Sequence, residues 1–258
     1  MKTIIFFDVD NTIYHNALSE IPLQTKKLLH ELSSNPNVIL GLATGRGLTK
    51  LSIIGDVLNL FKYKVLINGS VVYMYDEIIY DYPIEIKDIE EVLSITKGND
   101  FNVGMVGIAD EAVNYWDQRV FEGIKDLRGL ELKVDSDFYL HNKIYQLWMF
   151  ADSEEHILNV AKHLKKFDVY PWHQGGADFV YPFINKSFGI GKALEHETNY
   201  RLICVGDGAN DVKMIEMADI GIAMDNTRFS ELKEKADFIA PHIEADQLYD
   251  FFKSINLV

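Results

Sequence analysis

The stretch Ile4-Ile5-Phe6-Phe7-Asp8-Val9-Asp10 decides how this chain is read. Four apolar residues in a row, with no polar alternation, fit a strand buried on both faces, as in a parallel sheet covered by helices. The run stops at Asp8, and Asp10 follows two residues on. Side chains two apart on an extended chain point the same way, so both carboxylates leave the sheet at its carboxyl end. Open α/β sheets bind their ligands there.

Outward from this stretch, residues 23–32 predict a helix behind Pro22, whose fixed φ suits a first turn. Val38–Ala43 is a second short apolar run and ends in Thr44-Gly45-Arg46. Residues 48–60 have helical spacing at Leu51, Ile54 and Leu58, and 65–67 read as a third strand closed by Asn68-Gly69. The same alternation returns late in the chain. A helix runs from Ser187 through Leu194, and the apolar run 202–205 ends in Gly206-Asp207-Gly208. A helix through Met214 and Met217, a strand at 220–223 and a terminal helix at 244–255 follow. Alternating strands and helices predict a doubly wound, mainly parallel, Rossmann-like α/β core.

The middle has another character. Residues 71–73 and 78–80 read as a hairpin around Asp76-Glu77, with Pro83 as a linker. Residues 86–95 are helical, and 101–106, 112–116 and 145–150 read as strands. Asp152 and Glu155 have capping-box spacing ahead of an apolar face of Ile157, Leu158, Ala161 and Leu164. Residues 169–172 and 179–183 flank a turn at His173-Gln174-Gly175-Gly176. The expected organisation is a core built from 1–82 and 182–258, with an inserted α+β cap at 83–181.

Composition narrows the function. The 258 residues carry 25 Lys plus Arg against 39 Asp plus Glu, a formal charge of −14. So acidic a chain has no bulk electrostatic reason to bind nucleic acid or an anionic membrane face, and a phosphate ligand would need a local cation. Cys204 is the single cysteine, which excludes an internal disulfide and a cysteine-zinc site and fits a reducing compartment. No apolar run approaches the ~18 residues of a membrane span. Asp8 interrupts the first apolar run before it reaches the length of a secretory signal. A cytoplasmic protein is expected; nothing in the sequence sets its oligomeric state.

Asp-x-Asp alone is a weak signal, and it recurs at Asp135-Ser136-Asp137 with no strand before it, where a solvated loop is expected. The first copy has company. Thr44 ends an apolar run, Lys186 opens a helix, and Asp207, Asn210 and Asp211 follow residues 202–205. Singly, Thr44 and Asn210 read as helix N-caps, Lys186 as a surface lysine and Asp207 as a turn residue. In a doubly wound sheet these strand ends lie side by side, so the residues converge. Carboxylates without cysteine suit a hard cation such as magnesium. A hydroxyl, an amide and an ammonium suit phosphate oxygens. Two close carboxylates also suit a glycosidase, but that leaves Lys186, Asp207 and Asn210 without work.

The chain resembles the haloacid dehalogenase-like hydrolases, specifically the Cof-like phosphatases with a large inserted cap. Four stretches carry the resemblance, in the family's order. They are Ile5-Phe6-Phe7-Asp8-Val9-Asp10-Asn11-Thr12-Ile13, Leu42-Ala43-Thr44-Gly45-Arg46, Asn185-Lys186-Ser187-Phe188-Gly189-Ile190 and Val205-Gly206-Asp207-Gly208-Ala209-Asn210-Asp211. The resemblance implies that Asp8 is a nucleophile forming an aspartyl-phosphate, with Asp10 as general acid and base. It implies that Thr44 and Lys186 hold phosphoryl oxygens. Magnesium would be held by Asp8, Asp207 and the backbone carbonyl of Asp10, with Asp211 in support. Asn210 would hold that site or the substrate phosphate, and Arg46, beside Thr44, is a further substrate-side candidate.

The function so implied is a magnesium-dependent phosphatase of small phosphorylated metabolites, sugar phosphates foremost. A phosphomutase on the same fold is the alternative enzyme. A non-enzymatic phosphometabolite-binding protein is the alternative outside catalysis, although binding alone needs no nucleophile beside an acid. Two positions depart from the family pattern: Asn11 and Asp225 stand where glycine is usual. Asparagine tolerates positive φ, so the turn at Asn11 is expected to survive. The insert would select the substrate, with His141, Asn142, Trp172, His173, Gln174 and Asp178 as candidate contacts.

Overall fold

The computed structural model describes residues 1–98, 100–125 and 132–258. The first stretch of chain supplies β1 (Lys2–Phe7), α1 (Leu23–Ser34), β2 (Val38–Ala43), β3 (Tyr63–Leu66) and the hairpin β4 (Val71–Met74) and β5 (Glu77–Asp81). The middle supplies α2 (Ile86–Thr96), β6 (Asn102–Val106), β7 (Glu111–Val113), α3 (Gln118–Ile124), β8 (Lys133–Val134), α4 (Phe138–His141), β9 (Gln146–Phe150), α5 (Glu154–Ala161), β10 (Asp168–His173) and β11 (Gly176–Val180). The return supplies α6 (Lys186–Ala193), β12 (Tyr200–Gly206), α7 (Val212–Met217), β13 (Ile220–Met224), α8 (Ser230–Lys235), β14 (Phe238–Ala240) and α9 (Leu248–Ser254). Among the described residues no helix is long and apolar enough to cross a membrane.

The chain divides into two compact units. One comprises Met1–Arg46, Leu51–Tyr80 and Asn185–Val258; the other comprises Gly47–Lys50 and Asp81–Ile184. The first holds an eight-stranded sheet in the order β14-β13-β12-β1-β2-β3-β4-β5. β1 is central and runs parallel to β2 on one side and β12 on the other. All four side chains of Ile4, Ile5, Phe6 and Phe7 are fully buried. Ile4 and Phe6 pack with Val65, Ile190, Leu194 and Met214 on one face, and Phe7 stacks on Phe252 of α9 at 5.9 Å on the other. Helices on both faces explain the unalternated apolar run. The chain leaves β1 in one direction through β2 and β3 and returns on the other through β12, so the switch point falls at the carboxyl end of β1. This is a doubly wound, mainly parallel α/β fold.

The second unit holds a six-stranded sheet in the order β10-β11-β9-β6-β7-β8, antiparallel except for β7 with β8. Val113, Val120, Ile124 and Phe150 form an apolar cluster that joins α3 to it. The second Asp-x-Asp is a surface turn in which the Asp135 carboxylate accepts from the Asp137 amide at 3.0 Å.

Several elements differ from the sequence-based expectation. Residues 48–60 form two 3₁₀ segments, Leu48–Ile54 and Leu58–Leu60, in place of one α-helix. Leu51, Ile54 and Val57 are buried at every third position, which is the 3₁₀ period. The cap of α5 is Ser153, whose hydroxyl accepts from the His156 amide at 3.2 Å, one residue later than the capping-box reading. Leu158, assigned to its apolar face, is exposed. The last helix starts at Leu248, because Asp246 breaks the chain at φ 48° and turns its carboxylate onto the Gln24 amide of α1 at 2.9 Å. Pro22 sits at the N-cap of α1. Elements α3, β8, α4, α8 and β14 had no counterpart in the sequence reading.

Candidate active site

Every expected core site residue lies in the first unit. Asp8 continues β1, its amide donating to the Val205 carbonyl at 2.9 Å. Its side chain is 7 % exposed. Lys186, the first residue of α6, is 1 % exposed and bridges two carboxylates. Its Nζ donates to Asp8 Oδ1 at 2.6 Å and to Asp211 Oδ1 at 2.5 Å. Asn185 caps α6 by accepting from the Phe188 amide at 2.9 Å, which fixes where Lys186 begins. The surface-lysine reading of Lys186 is thereby excluded.

Asp211 is fully buried and fully engaged. Beyond Lys186, its Oδ2 accepts from the amides of Asp207 at 3.0 Å and Gly208 at 2.8 Å. That close approach needs Gly206, since a Cβ there would lie 2.5 Å from the Asp211 carboxylate. Asp207 is therefore aimed by its own backbone. Its side chain accepts from Thr12 at 3.4 Å and Asn226 at 3.3 Å. Asn226 also donates to the Asn11 carbonyl at 3.0 Å. Asn11 takes φ 53°, as its residue type allows.

Oxygen atoms of Asp8, Asp207 and Asp211 lie within 4.8 Å of one another. Burial first, then the Asp211 and Asp10 charges, lift the Asp8 carboxyl from 3.8 to about 7 against the opposing pull of Lys186. Burial, with Asp8 and Asp211 nearby, pushes Asp207 well above the usual carboxylate range. Burial would lower the Lys186 ammonium, but Asp211 and Asp8 outweigh it and hold the charge. Negative charge thus exceeds what one lysine balances, and every donor is oxygen. Such a set fits a hard divalent cation. Asp211 spends three hydrogen bonds on Lys186 and two amides, whereas Asp8 spends one on Lys186.

Thr44 is fully buried at the end of β2. Its hydroxyl accepts from the Arg46 amide at 3.2 Å, which leaves its proton to donate elsewhere. Its backbone is laced to the β3 end through Thr44 N to Val65 O at 2.9 Å and Asn68 N to Thr44 O at 3.0 Å. Arg46 grips Asp10 with two bonds, Nε to Oδ2 at 2.8 Å and a terminal nitrogen to Oδ1 at 2.7 Å. Asn210 donates its amide to Asn68 Oδ1 at 2.7 Å and does not cap a helix. The bonds thus link Asp8, Lys186, Asp207 and Asp211 with one another, Asp10 with Arg46, and Asn210 with Asn68, and Thr44 ties the last two pairs together through the amides of Arg46 and Asn68.

Asn68, Asn226 and Thr12 were missed in the sequence. Asn68 carried a signal, as part of the Asn-Gly that closes β3. The turn is unusual, with Ile67, Asn68 and Gly69 at φ 50°, 53° and 102°. A β-branched residue at positive φ is strained, and such strain gathers at functional sites. The candidate cap residues lie in the second unit. There Trp172 donates to Asp178 at 2.8 Å, His173 accepts from the Gly175 amide at 3.1 Å, and Asn142 donates to the Phe138 carbonyl at 3.0 Å. His141 and Gln174 are exposed.

A model of the haloacid dehalogenase-like hydrolases matches residues 5–252. The chain is 30 % identical over 261 residues to a Bacillus subtilis (strain 168) protein named "Putative phosphatase YkrA", covering 99 % of this chain and 98 % of that protein. Among solved structures, the subclass IIB sugar phosphatase BT4131 superposes with a TM-score of 0.87 at 22 % identity, covering 100 % of both chains. The phosphatase BT1666 from Bacteroides thetaiotaomicron gives 0.89 at 22 % identity, covering 100 % of this chain and 96 % of that one. Those two likenesses establish the fold, a Rossmann-like core with a cap. The family match spans nearly the whole sequence and includes the strand ends just described, so this chain is a member of the haloacid dehalogenase-like hydrolases.

Proposed function

We propose that the chain is a magnesium-dependent phosphatase of small phosphorylated metabolites, sugar phosphates foremost, working in the cytoplasm through an aspartyl-phosphate on Asp8. The carrying observation is the buried Asp8 carboxylate, paired with Lys186 and adjoining Asp207. A carboxylate that attacks a phosphate ester meets like charge, about 4 kcal/mol at 4 Å and an effective dielectric of 20. Lys186 offsets part of this and faces the charge that develops on the equatorial oxygens. Asp8, Asp207 and the carbonyl of Asp10 would hold magnesium, with Asp211 in support. When bound, the ion supplies further charge neutralisation and keeps Asp8 ionised.

Asp8 attacks phosphorus while the ester oxygen departs with a proton from Asp10. Asp10 then takes a proton from the water that attacks the same phosphorus, and Asp8 and inorganic phosphate are regenerated. Thr44 would donate to a phosphoryl oxygen, and Asn210 would hold the phosphate or the metal site. The rest of the substrate would be selected by the cap, residues 83–181. The name of the B. subtilis relative and the description of BT4131 as a sugar phosphatase support this reading.

The test is phosphate release from a panel of sugar phosphates, with magnesium and with chelator, in wild type and Asp8→Asn. Release is expected only in wild type with magnesium. Turnover retained in pure Asp8→Asn removes Asp8 from the role. A product phosphorylated at a new hydroxyl, without free phosphate, would make the enzyme a mutase.

A further inference from the structure

Arg46 was expected on the substrate side of the site. Instead its guanidinium lies flat against Asp10, with two parallel bonds of 2.8 and 2.7 Å. A fork of this kind fixes both the plane and the direction of a carboxylate, which a single bond does not. The arginine is itself held in place. Its amide donates to Thr44 Oγ1 at 3.2 Å, its carbonyl accepts from the Ile67 amide at 3.1 Å, and its side chain is 15 % exposed. Asp10 takes two side-chain bonds from Arg46, in a loop whose backbone is laced by Asn11 N to Tyr14 O at 2.7 Å. Its side chain is 32 % exposed, and the loop returns at once to β1 through amides of Ile13 and Tyr14 that donate to Val9 at 3.1 and 2.8 Å. The pair joins the end of β2 to the end of β1. The strained Ile67-Asn68-Gly69 turn holds the β2 side by backbone bonds at two points.

We infer that Arg46 is a positioning residue for Asp10, setting the direction from which its carboxyl meets the departing ester oxygen and the attacking water, and is not a ligand of the substrate phosphate. This rests on the role proposed for Asp10. Each Asp10 oxygen accepts one bond from Arg46 and keeps a second lone-pair direction free, so the fork and the reacting ester oxygen or water do not compete for the same site. Lysine cannot replace this function. It is a point donor on a flexible stem and restrains neither the plane nor the direction of the carboxylate.

The experiment compares wild type, Arg46→Met, Arg46→Lys, Asp10→Asn and Asp10→Asn/Arg46→Met with magnesium. The substrates are glucose 6-phosphate, whose alkoxide leaves poorly, and para-nitrophenyl phosphate, whose phenolate needs no acid. Arg46→Met and Arg46→Lys should each lower kcat on glucose 6-phosphate by about 100-fold, the low end of what a placed acid-base group contributes. First-turnover release of nitrophenolate should change by less than about threefold, as should KM and inhibition by inorganic phosphate. The double variant should be no slower than Asp10→Asn, because one group acts through the other.

A tenfold rise in KM and in the phosphate inhibition constant would overturn the inference. So would equal losses on both esters in the first turnover, or losses that multiply in the double variant; each would place Arg46 on the phosphate. Failure of the wider reading shows elsewhere, as turnover retained in Asp8→Asn. Arg46→Lys preserves charge and bulk, and its melting temperature separates a folding defect from a positioning one.

Discussion

Asp8 is a nucleophile candidate whose surroundings resist its ionisation. Burial lifts it to about 7, while an unfolded chain would ionise it near 3.8, and Asp207 is raised by the same causes. For a raised carboxyl, the folded state holds a proton that the unfolded state gives up. Stability tied to Asp8 is therefore complete in acid and is lost as pH rises from about 4 to about 7, and Asp207 acts in the same direction. A cation that binds the ionised set reverses this loss. Magnesium should therefore raise the melting temperature clearly at about pH 7.5 and hardly at all at about pH 5, measured against chelator. Equal shifts at both pH values would show that the ion binds away from this cluster. Asp8, Asp10, Lys186, Asp207 and Asp211 were legible as residues because each stands at a strand end or helix start. Thr12 and Asn226 were not, since their bonds to Asp207 span 195 and 19 residues and obey no local pattern.

At the scale of elements, the parallel strands were read correctly because burial on both faces leaves an uninterrupted apolar run. Segment 48–60 was misread because apolar residues three apart suit an α-helix over a short window and a 3₁₀ turn over a longer one. The turn after β3 is the element most exposed to a single change. Gly69 has φ 102°, and a Cβ there would lie 2.2 Å from the Asn185 carbonyl, beside the cap of α6. Gly69→Ala should cost more than about 1 kcal/mol from backbone conformation alone. The added clash should displace the start of α6 and Lys186 with it. Denaturant unfolding should show the loss, and inhibition by inorganic phosphate should weaken in the same variant. Wild-type stability in Gly69→Ala would mean that the turn is not so constrained.

At the scale of the whole molecule, the change of pattern between Pro83 and Tyr181 was legible in the sequence, and the compact units divide near it, at Asp81 and Ile184. The grouping of Gly47–Lys50 with the second unit was not legible. Within that unit Lys50 forms an ion pair with the buried Glu111, 61 residues away in sequence, at 3.1 Å. Substrate choice is proposed to belong to that unit. Trp172→Phe keeps most of the ring and removes the donor to Asp178. It should reorder the preference among sugar phosphates more than it changes the rate on para-nitrophenyl phosphate. An equal fall in kcat on every ester, with the ranking intact, would show that Trp172 serves the fold or the chemistry and not selection.

The central claim is a covalent phosphate on Asp8, and it can be trapped. Wild-type protein is mixed with a sugar phosphate and magnesium, quenched in acid within the first turnover, reduced with borohydride and mapped by peptide mass spectrometry. An acyl phosphate is reduced to an alcohol, whereas a free carboxylate is not. The expected result is reduction at position 8, dependent on substrate and absent at Asp10, Asp207 and Asp211. Turnover without reduction at Asp8, or reduction at another carboxylate, would contradict the account.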